Sequence, residues 1–191
     1  MRKLIAGMKI SLDQSVVGPE GYADWVDAWS EDYGLTAQID ACLLGAGMFP
    51  GYEGYWTAVL NAPHAPLPMT GKAPTPDELK WARFIPEATH YVLSRTLGSS
   101  LLPNVRFIRS ADEVSALKQL PGKDIYLIGG ARTTSSLLDA GLVDELRLIV
   151  HPLIAGGGDK LFAAAGRRRE LELHKVQQLA DGRLGLSYAV S

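Results

Sequence analysis

The chain has 191 residues, of which 47% are hydrophobic and 21% charged, and its formal net charge is −2. This length suits a single domain over residues 1–191. The near-neutral charge argues against a nucleic-acid or membrane-surface binder. The only cysteine, Cys42, excludes an intrachain disulfide and favours a reducing compartment. Because the apolar run at residues 4–8 is too short for a signal peptide and no segment is long enough for a membrane span, we expect a cytoplasmic protein.

The first third of the chain predicts two strands separated by helical sequence. Residues 4–12 are expected to form a strand, and residues 40–45 a short buried strand. Between them, apolar residues at mixed helical spacing over residues 25–39 predict one or two helices. The aromatic group Tyr52, Tyr55 and Trp56, flanked by glycines, is consistent with two structures: a pocket wall for a flat heterocycle or a loop packed by its own rings.

The middle of the chain alternates turn-rich and regular segments. Residues 61–76 contain five prolines, which predicts a long surface loop. Short apolar runs predict strands over residues 91–94 and 105–108, and a short helix is expected over residues 77–84. Ser110 and Glu113 have the capping-box spacing, so a second helix should begin there and run to Leu120.

The last third carries the strongest local signals. A buried strand over residues 125–128 leads into Gly129-Gly130 and a short helix that Gly141 should cap, and a further strand follows over residues 145–151. Residues 171–179 and 184–190 flank Asp181-Gly182, which is typical of a hairpin. The alternation predicts an α/β fold with a mixed, mostly parallel sheet covered on both faces.

The glycine pair after the strand at 125–128 predicts an anion site. Successive backbone N–H groups at the first turn of the following helix, together with its positive dipole end, suit a phosphate or pyrophosphate. Arg132, Thr133 and Thr134 can all donate hydrogen bonds to phosphate oxygens. A tight turn without a ligand is the alternative interpretation, and these three residues favour a nucleotide.

Several common site signatures are absent. There is no G-x-x-x-x-G-K-[ST], no G-x-G-x-x-G in the first strand–helix turn and no G-x-S-x-G. The four histidines lack metal-ligand spacing, so no metal site is predicted. Gly156-Gly157-Gly158-Asp159-Lys160 lacks the Ser or Thr of a phosphate loop and is interpreted as a mobile turn.

Carboxylates for proton transfer cluster near the first strand and the segment after it. A carboxyl group at the apolar mouth of a sheet can have its pKa raised and donate a proton, although a solvated acid is the default for each taken singly. The candidates are Asp13, Asp24, Asp27, Glu31 and Asp32.

Three blocks of sequence resemble the dihydrofolate reductase-like superfamily, and within it the reductase domain of the bifunctional riboflavin-biosynthesis deaminase-reductase. These blocks are Ile125-Tyr-Leu-Ile-Gly-Gly-Ala-Arg132, Leu142-Val-Asp-Glu-Leu-Arg-Leu148 and His151-Pro-Leu-Ile-Ala-Gly-Gly-Gly-Asp-Lys-Leu-Phe162. Ile10-Ser-Leu-Asp13, Asp24-Trp25 and Cys42-Leu-Leu-Gly45 extend the resemblance toward the N-terminus. It covers nearly the whole chain in the expected order, and its block from Gly129 to Phe162 is quite specific.

The resemblance implies a three-layer fold: a central, mostly parallel mixed sheet of about eight strands, helices on both faces and a C-terminal antiparallel hairpin. It implies NADPH, or alternatively NADH, at the carboxyl edge of the sheet, and hydride transfer to a pterin-, pyrimidine- or flavin-like substrate. It also implies a symmetric dimer. The specific 5-amino-6-(5-phosphoribosylamino)uracil reductase of riboflavin synthesis is one alternative, although no basic cluster for a ribose phosphate stands out.

Carried over by position, the resemblance implies specific site residues. Asp13 and Glu145 are the acids nearest the substrate, and Trp25 joins Tyr55 and Trp56 on the substrate side. The peptide between Gly129 and Gly130 is expected to be cis. The implied cofactor-binding residues are Val16, Val17, Gly45, Ala46, Ser94, Arg95, Thr96, Ile128, Gly129, Gly130, Ala131, Arg132 and Thr133.

The sequence departs from the family pattern in two places. The usual glycine-arginine-x-threonine after the second strand is here Gly45-Ala46-Gly47-Met48, which removes one positive charge and one hydroxyl. Losing such a phosphate contact costs a few kcal/mol at a buried site, so a non-catalytic nucleotide-binding protein is a second alternative. Gln14 replaces a glycine in the first loop, and a stiffer loop over the nicotinamide is expected.

Overall fold

The computed structural model describes residues 1–26, 29, 33–68 and 70–191. Eight strands in this part of the chain form one sheet, in the order β4-β3-β2-β5-β1-β6-β8-β7. Strands β1 to β6 are parallel to one another, and β8 runs antiparallel to both β6 and β7. The strands are β1 (Leu4–Ser11), β2 (Ile39–Gly45), β3 (Thr89–Leu93), β4 (Val105–Ile108), β5 (Asp124–Gly129), β6 (Glu145–His151), β7 (Leu171–Gln178) and β8 (Leu184–Val190).

Helices cover both faces of the sheet. They are α1 (Phe49–Asn61), α2 (Pro76–Phe84), α3 (Ala111–Gln119) and α4 (Ala131–Asp139). On one face, Val114 of α3 and Leu137 of α4 pack with Leu127 of β5. On the other, Trp56 of α1 and Trp81 of α2 pack in one apolar cluster. The predicted three-layer α/β fold with an antiparallel C-terminal hairpin is confirmed.

Burial explains why the central strands are apolar throughout. β1, β2 and β5 lie inside the sheet with helices on both sides, so nearly every residue in them is buried. Cys42 is fully buried in β2, as expected of an inert thiol. The edge hairpin of β7 and β8 is different, because every residue of β7 is exposed. Asp181 and Gly182 join these strands with positive φ values of 59° and 73°, as their turn chemistry predicts.

One helix was not predicted from the sequence. Residues 49–61 form α1, although Pro50, Gly51 and Gly54 argue against a helix. The proline lies in the first turn, where no N–H is needed, and the buried side chains Phe49, Tyr52, Trp56 and Val59 recur at helical spacing. Packing on the sheet therefore outweighs the low helix propensity.

Between β1 and β2 the sequence predicts helices where the described residues form none. The predicted helices over residues 25–39 fall partly outside the described residues, and the described ones before Ile39 form turns and irregular backbone.

Ser110 caps α3 by accepting a hydrogen bond from the Glu113 N–H, but the Glu113 carboxylate accepts from the Arg109 N–H rather than from that of Ser110. The full capping box is at Thr75 and Glu78, at the start of α2.

In the part of the chain that the structure describes, no helix is both long and apolar enough to cross a membrane.

Candidate active site

The carboxyl ends of β1, β2 and β5 meet at one edge of the sheet, because these strands are parallel neighbours. A cavity of about 540 Å³ lies at this edge. It brings together six of the predicted cofactor residues, from the loop after β1 and from the start of α4. The lining residues are Met8, Val16, Val17, Gly47, Met48, Gly130, Ala131, Arg132, Thr133 and Asp159.

The start of α4 faces this cavity with its backbone N–H groups. Gly130 is the N-cap, and no side chain caps the helix. The first N–H groups of a helix have no intrahelical acceptor, and the dipole makes this end positive. Arg132, in the first turn, adds a cationic side chain that is exposed. The Gly129–Gly130 peptide is cis, as the resemblance implies. This arrangement fits a phosphate group.

Two glycines permit the close packing around the cavity. A Cβ on Gly45 would overlap the Oγ1 of Thr133, so the end of β2 approaches α4 more closely than any side chain allows. A Cβ on Gly129 would lie 2.6 Å from the Sδ of Met8. By contrast, a Cβ on Gly130 would meet no atom within 4 Å. The cavity therefore has open space directly in front of the α4 N-terminus.

The other predicted cofactor residues lie along the same edge but outside this cavity. Gly45 pairs with Leu93 across β2 and β3, which places Ala46 beside Ser94. The Ser94 hydroxyl is buried and accepts hydrogen bonds from the N–H groups of Thr96 and Leu97, at 3.3 and 2.9 Å. Arg95 and Thr96 are exposed beyond it.

The loop after β1 is held by the loop that follows β6. Val16 donates its N–H to the Asp159 carbonyl at 2.8 Å, and Lys160 Nζ donates to the Asp13 carboxylate at 2.6 Å and to Ser15 Oγ at 2.8 Å. These bonds hold Val16 at the cavity wall. The interpretation of residues 156–160 as a mobile turn is therefore wrong, because hydrogen bonds join this segment to the first loop on several sides.

Asp13 is an anion in this arrangement. The Lys160 ammonium, the Ser11 hydroxyl and the Ala155 N–H donate to its carboxylate and hold its pKa well below the usual range. The expected raised pKa is therefore wrong for Asp13. At neutral pH this carboxyl group has no proton to donate, and the contacts assign it to holding the two loops together.

A second cavity, of about 370 Å³, adjoins the first on the face of the sheet that α1 covers. It shares Met8, Val16 and Met48 with the first. Four aromatic side chains form much of its wall: Trp29, Tyr33, Tyr55 and Tyr126. Ile128, Gly7 and Lys9 also line it, from β5 and β1. The two cavities form one cleft, with the start of α4 at one end and aromatic side chains at the other.

The predicted substrate residues have three different positions. Tyr55 lines the aromatic cavity as expected. Trp56 does not, because its side chain is only 2% exposed and packs against Trp29 and Tyr55 from behind. Trp25 lines a separate cavity of about 230 Å³ that shares Lys9 and Val26 with the aromatic one.

Glu145 does not lie at the carboxyl edge of the sheet. It lies at the amino end of β6, where it pairs with Ile5, whereas the carboxyl end of the strand pairs with Ser11. Six residues of strand place it about 20 Å from the edge. Its carboxylate accepts a hydrogen bond from Arg147 Nε at 2.6 Å and lines a different cavity. The expectation that Glu145 joins Asp13 near the substrate is wrong.

Among the other candidate acids, Asp24 lies in a turn and lines neither cavity. Asp27, Glu31 and Asp32 lie outside the described residues.

The sequence interpretation missed most of the aromatic cavity. Trp29 and Tyr33 lie between β1 and β2 whereas Tyr126 lies in β5, and no local pattern joins these two segments. One signal was available, since alternate residues of neighbouring parallel strands share a face of the sheet. Gly7 and Lys9 of β1 therefore face the same side as Tyr126 and Ile128 of β5.

Known proteins resemble the chain over its whole length. Residues 2–184 match the family model described as the RibD C-terminal domain. YyaP of Bacillus subtilis (strain 168) is 31% identical over 192 residues, which cover 98% of this chain and 94% of that protein. A solved structure of a putative riboflavin biosynthesis protein from Shewanella sp. PV-4 is 17% identical, covers 99% of both chains and has a TM-score of 0.70.

Dihydrofolate reductase from Enterococcus faecalis, solved with NADP(H), is similar in structure as well. It is 16% identical, the match covers 99% of this chain and 96% of the other, and the TM-score is 0.59. These likenesses show a dihydrofolate reductase-like fold.

Proposed function

The chain belongs to the RibD C-terminal domain family, and from this premise we propose that it is an NADPH-dependent reductase of a small heterocycle. A pterin-, pyrimidine- or flavin-like ring is the proposed substrate class. The observation that carries the proposal is the junction of the two cavities. One has an uncapped helix N-terminus suited to phosphate, the other has aromatic walls suited to a ring, and they share Met8, Val16 and Met48.

The residues of the chain supply binding, orientation and exclusion of water. The N–H groups at the start of α4, with Arg132 and Thr133, would hold the cofactor phosphates. Met8 and Val16, at the junction, offer an apolar surface for the nicotinamide and the substrate ring. When bound, NADPH supplies the hydride. Asp13 and Lys160 keep Val16 in place by joining the two loops.

NADPH is proposed over NADH because Arg95 is exposed beside Ser94 at the edge where the adenosine end would lie. Ala46 and Met48 provide no charge or hydroxyl to the phosphates, so binding of the phosphates would depend more heavily on the start of α4. Comparing the dissociation constants of NADPH and NADH by fluorescence titration tests this preference. Tighter binding of NADH would contradict it.

The function itself is tested by titrating NADPH and then following its oxidation at 340 nm with a panel of pterins, flavins, pyrimidines and quinones. Oxidation that depends on one class of ring supports the proposal. Binding without oxidation by any member supports the non-catalytic nucleotide-binding alternative, which the loss of charge at Ala46 favours. Absence of NADPH binding would rule out both functions.

The phosphate site is tested by Gly130→Asp, with Gly130→Asn as the matched control. Both side chains enter open space and both are good N-cap residues, so the fold should be retained. Only aspartate places a negative charge against the phosphates. We expect the dissociation constant of NADPH to rise about 100-fold, or about 2.7 kcal/mol, for Gly130→Asp and much less for Gly130→Asn. Equal effects of the two variants on NADPH binding would refute the proposed phosphate site at the start of α4.

A second candidate, the phosphoribosylaminouracil reductase, is favoured by one observation. The cavity beside Trp25 brings together Lys9, His151 and Arg183, along with Asp181, next to the aromatic cavity. Such basic side chains suit a sugar phosphate attached to a ring. Including phosphorylated and unphosphorylated pyrimidines in the panel separates the two candidates, because only this reductase should require the phosphate.

Homodimer formation and a cytoplasmic location stay predictions. The oligomeric state would be measured by light scattering.

A further inference from the structure

A buried carboxylate joins three segments behind the aromatic cavity. Glu78, in the first turn of α2, is 2% exposed. Its Oε1 accepts hydrogen bonds from the Trp29 N–H, at 3.2 Å, and from the Tyr55 hydroxyl. Its Oε2 accepts from the Thr75 N–H at 2.7 Å. One side chain therefore links α1, α2 and the segment between β1 and β2.

The surroundings of Glu78 and Tyr55 indicate which of these two side chains carries a proton. Burial alone would raise the pKa of Glu78, but the hydrogen bonds from Thr75, Tyr55 and Trp29 outweigh burial and lower that pKa. Burial, with the bond to Glu78, raises the pKa of the Tyr55 phenol. Glu78 is thus an anion, and Tyr55 keeps its proton and donates a hydrogen bond to Glu78.

Two of the residues bonded to Glu78 are walls of the aromatic cavity, whereas Glu78 itself is not. Trp29 and Tyr55 both line the cavity. The Trp29 ring is supported from behind by Trp81, with centroids 4.6 Å apart, and by the edge of Trp56, at 6.0 Å. The backbone of Trp29 and the hydroxyl of Tyr55 are held together by one carboxylate oxygen. The separation of the two walls therefore depends on Glu78.

We propose that Glu78 is a positioning residue that sets the spacing of Trp29 and Tyr55, and that the cavity consequently binds a planar aromatic ring system. The Tyr55 hydroxyl is committed to Glu78, so this wall offers ring surface rather than a hydrogen-bond donor. Tyr33 and Tyr126 add two more ring surfaces. The inference rests on the proposed function, since the planar ring would be the substrate of the reductase.

The probes are pterin, tetrahydropterin and lumiflavin, whose binding is measured by calorimetry without cofactor. Pterin and lumiflavin are planar, whereas tetrahydropterin has the size of pterin with a puckered ring. Wild-type protein should bind pterin about tenfold more tightly than tetrahydropterin, since stacking needs a flat π surface. Equal affinities for the two pterins, or failure to bind either planar probe, would overturn the substrate class.

The positioning role is tested by Glu78→Gln, which keeps the shape but removes the charge. We expect its dissociation constant for the planar probes to rise about tenfold, because either orientation of the amide turns its NH₂ group toward a backbone N–H, that of Thr75 or that of Trp29, and so displaces the side chain. NADPH affinity should be unchanged, as the start of α4 is not in contact with Glu78. Tyr55→Phe, which keeps the ring and loses one of the three bonds, should give a smaller rise.

Thr75→Ala is the matched control for stability. It removes the Thr75 hydroxyl that caps the same helix through the Glu78 N–H, but leaves the contacts of Glu78 with Trp29 and Tyr55. It should lower the melting temperature without changing probe affinity. An equal loss of probe affinity in Thr75→Ala and Glu78→Gln, or none in Glu78→Gln and Tyr55→Phe, would refute the positioning role. Failure of the proposed function is a separate result, namely no NADPH binding by a protein that still binds the planar probes.

Discussion

Gln14 has a left-handed backbone conformation, with φ of 67°, in the loop that follows β1. It is one residue from Asp13, whose carboxylate is bonded to Lys160, and two from Val16 at the cavity wall. The side chain of Gln14 is exposed. Left-handed backbone costs a residue with a Cβ about 1–2 kcal/mol. The residue therefore places local strain in the loop that borders the proposed cofactor cavity.

We predict that Gln14→Gly stabilises the protein by about 0.5–1 kcal/mol, because the relief of steric strain exceeds the added chain entropy of glycine. Urea unfolding measures the change. Ala116→Gly is the control, since Ala116 is exposed in the interior of α3. There the replacement by glycine should destabilise the protein by about 1 kcal/mol. Destabilisation by both variants would contradict the strain at Gln14.

At the scale of elements, the close contact of β2 with α4 shapes the proposed cofactor cavity. The Gly45 backbone lies against the Thr133 side chain in the first turn of α4. Gly47, two residues later, has nothing within 4 Å of its Cβ position. The close packing of this turn on α4 therefore depends on Gly45 and not on Gly47. Ala46 and Met48 change the chemistry of the edge, because neither side chain carries a charge or a hydroxyl group.

Gly45→Ala should destabilise the protein by about 1–3 kcal/mol, because the added methyl group forces α4 away from β2. It should also weaken NADPH binding, since the displaced turn carries the phosphate-binding N–H groups. Thr133→Ala, combined with Gly45→Ala, should restore part of the stability by removing the overlapping hydroxyl. Gly47→Ala should be neutral in thermal unfolding. A Gly45→Ala variant as stable as Gly47→Ala would show that the two elements do not pack so closely.

At the scale of the whole molecule, one buried polar network joins the sheet to both helices of the aromatic face. The Tyr52 hydroxyl of α1 lies 2.9 Å from His90 Nε2 in β3 and accepts from Trp81 Nε1 in α2 at 3.1 Å. His90 Nδ1 lies 3.1 Å from the Ala88 carbonyl. His90 is fully buried, and burial lowers its pKa to about 4.

This network predicts acid sensitivity. The unfolded chain protonates His90 near pH 6.5, whereas the folded protein resists protonation until about pH 4. The free energy of unfolding should therefore fall as the pH drops from about 6.5 to about 4, by about 3 kcal/mol from this residue. Urea unfolding across this range measures it. His90→Gln should lose this dependence and His174→Gln, at an exposed position, should keep it. Equal pH slopes for His90→Gln and wild type would contradict the prediction.

Local patterns determined the order of strands and helices along most of the chain. The β5–Gly129-Gly130–α4 segment was predictable because strand burial, turn chemistry and helix capping are all short-range. The same holds for the hairpin around Asp181-Gly182. The error at α1 has the same origin, since glycine and proline signal a break locally while burial of Trp56 and Val59 against the sheet decides the outcome.

The residue chemistry and the nearly complete resemblance determined the family and predicted a phosphate site at the start of α4. Only the tertiary structure decided which side chains meet. It moved Glu145 to the far end of its strand, buried Trp56 and made Asp13 an ion-paired anion. It also assembled Trp29, Tyr55 and Tyr126 around one cavity with Glu78 behind it. Contacts between residues far apart in sequence depend on sheet order, strand register and helix packing, and short-range patterns do not encode them.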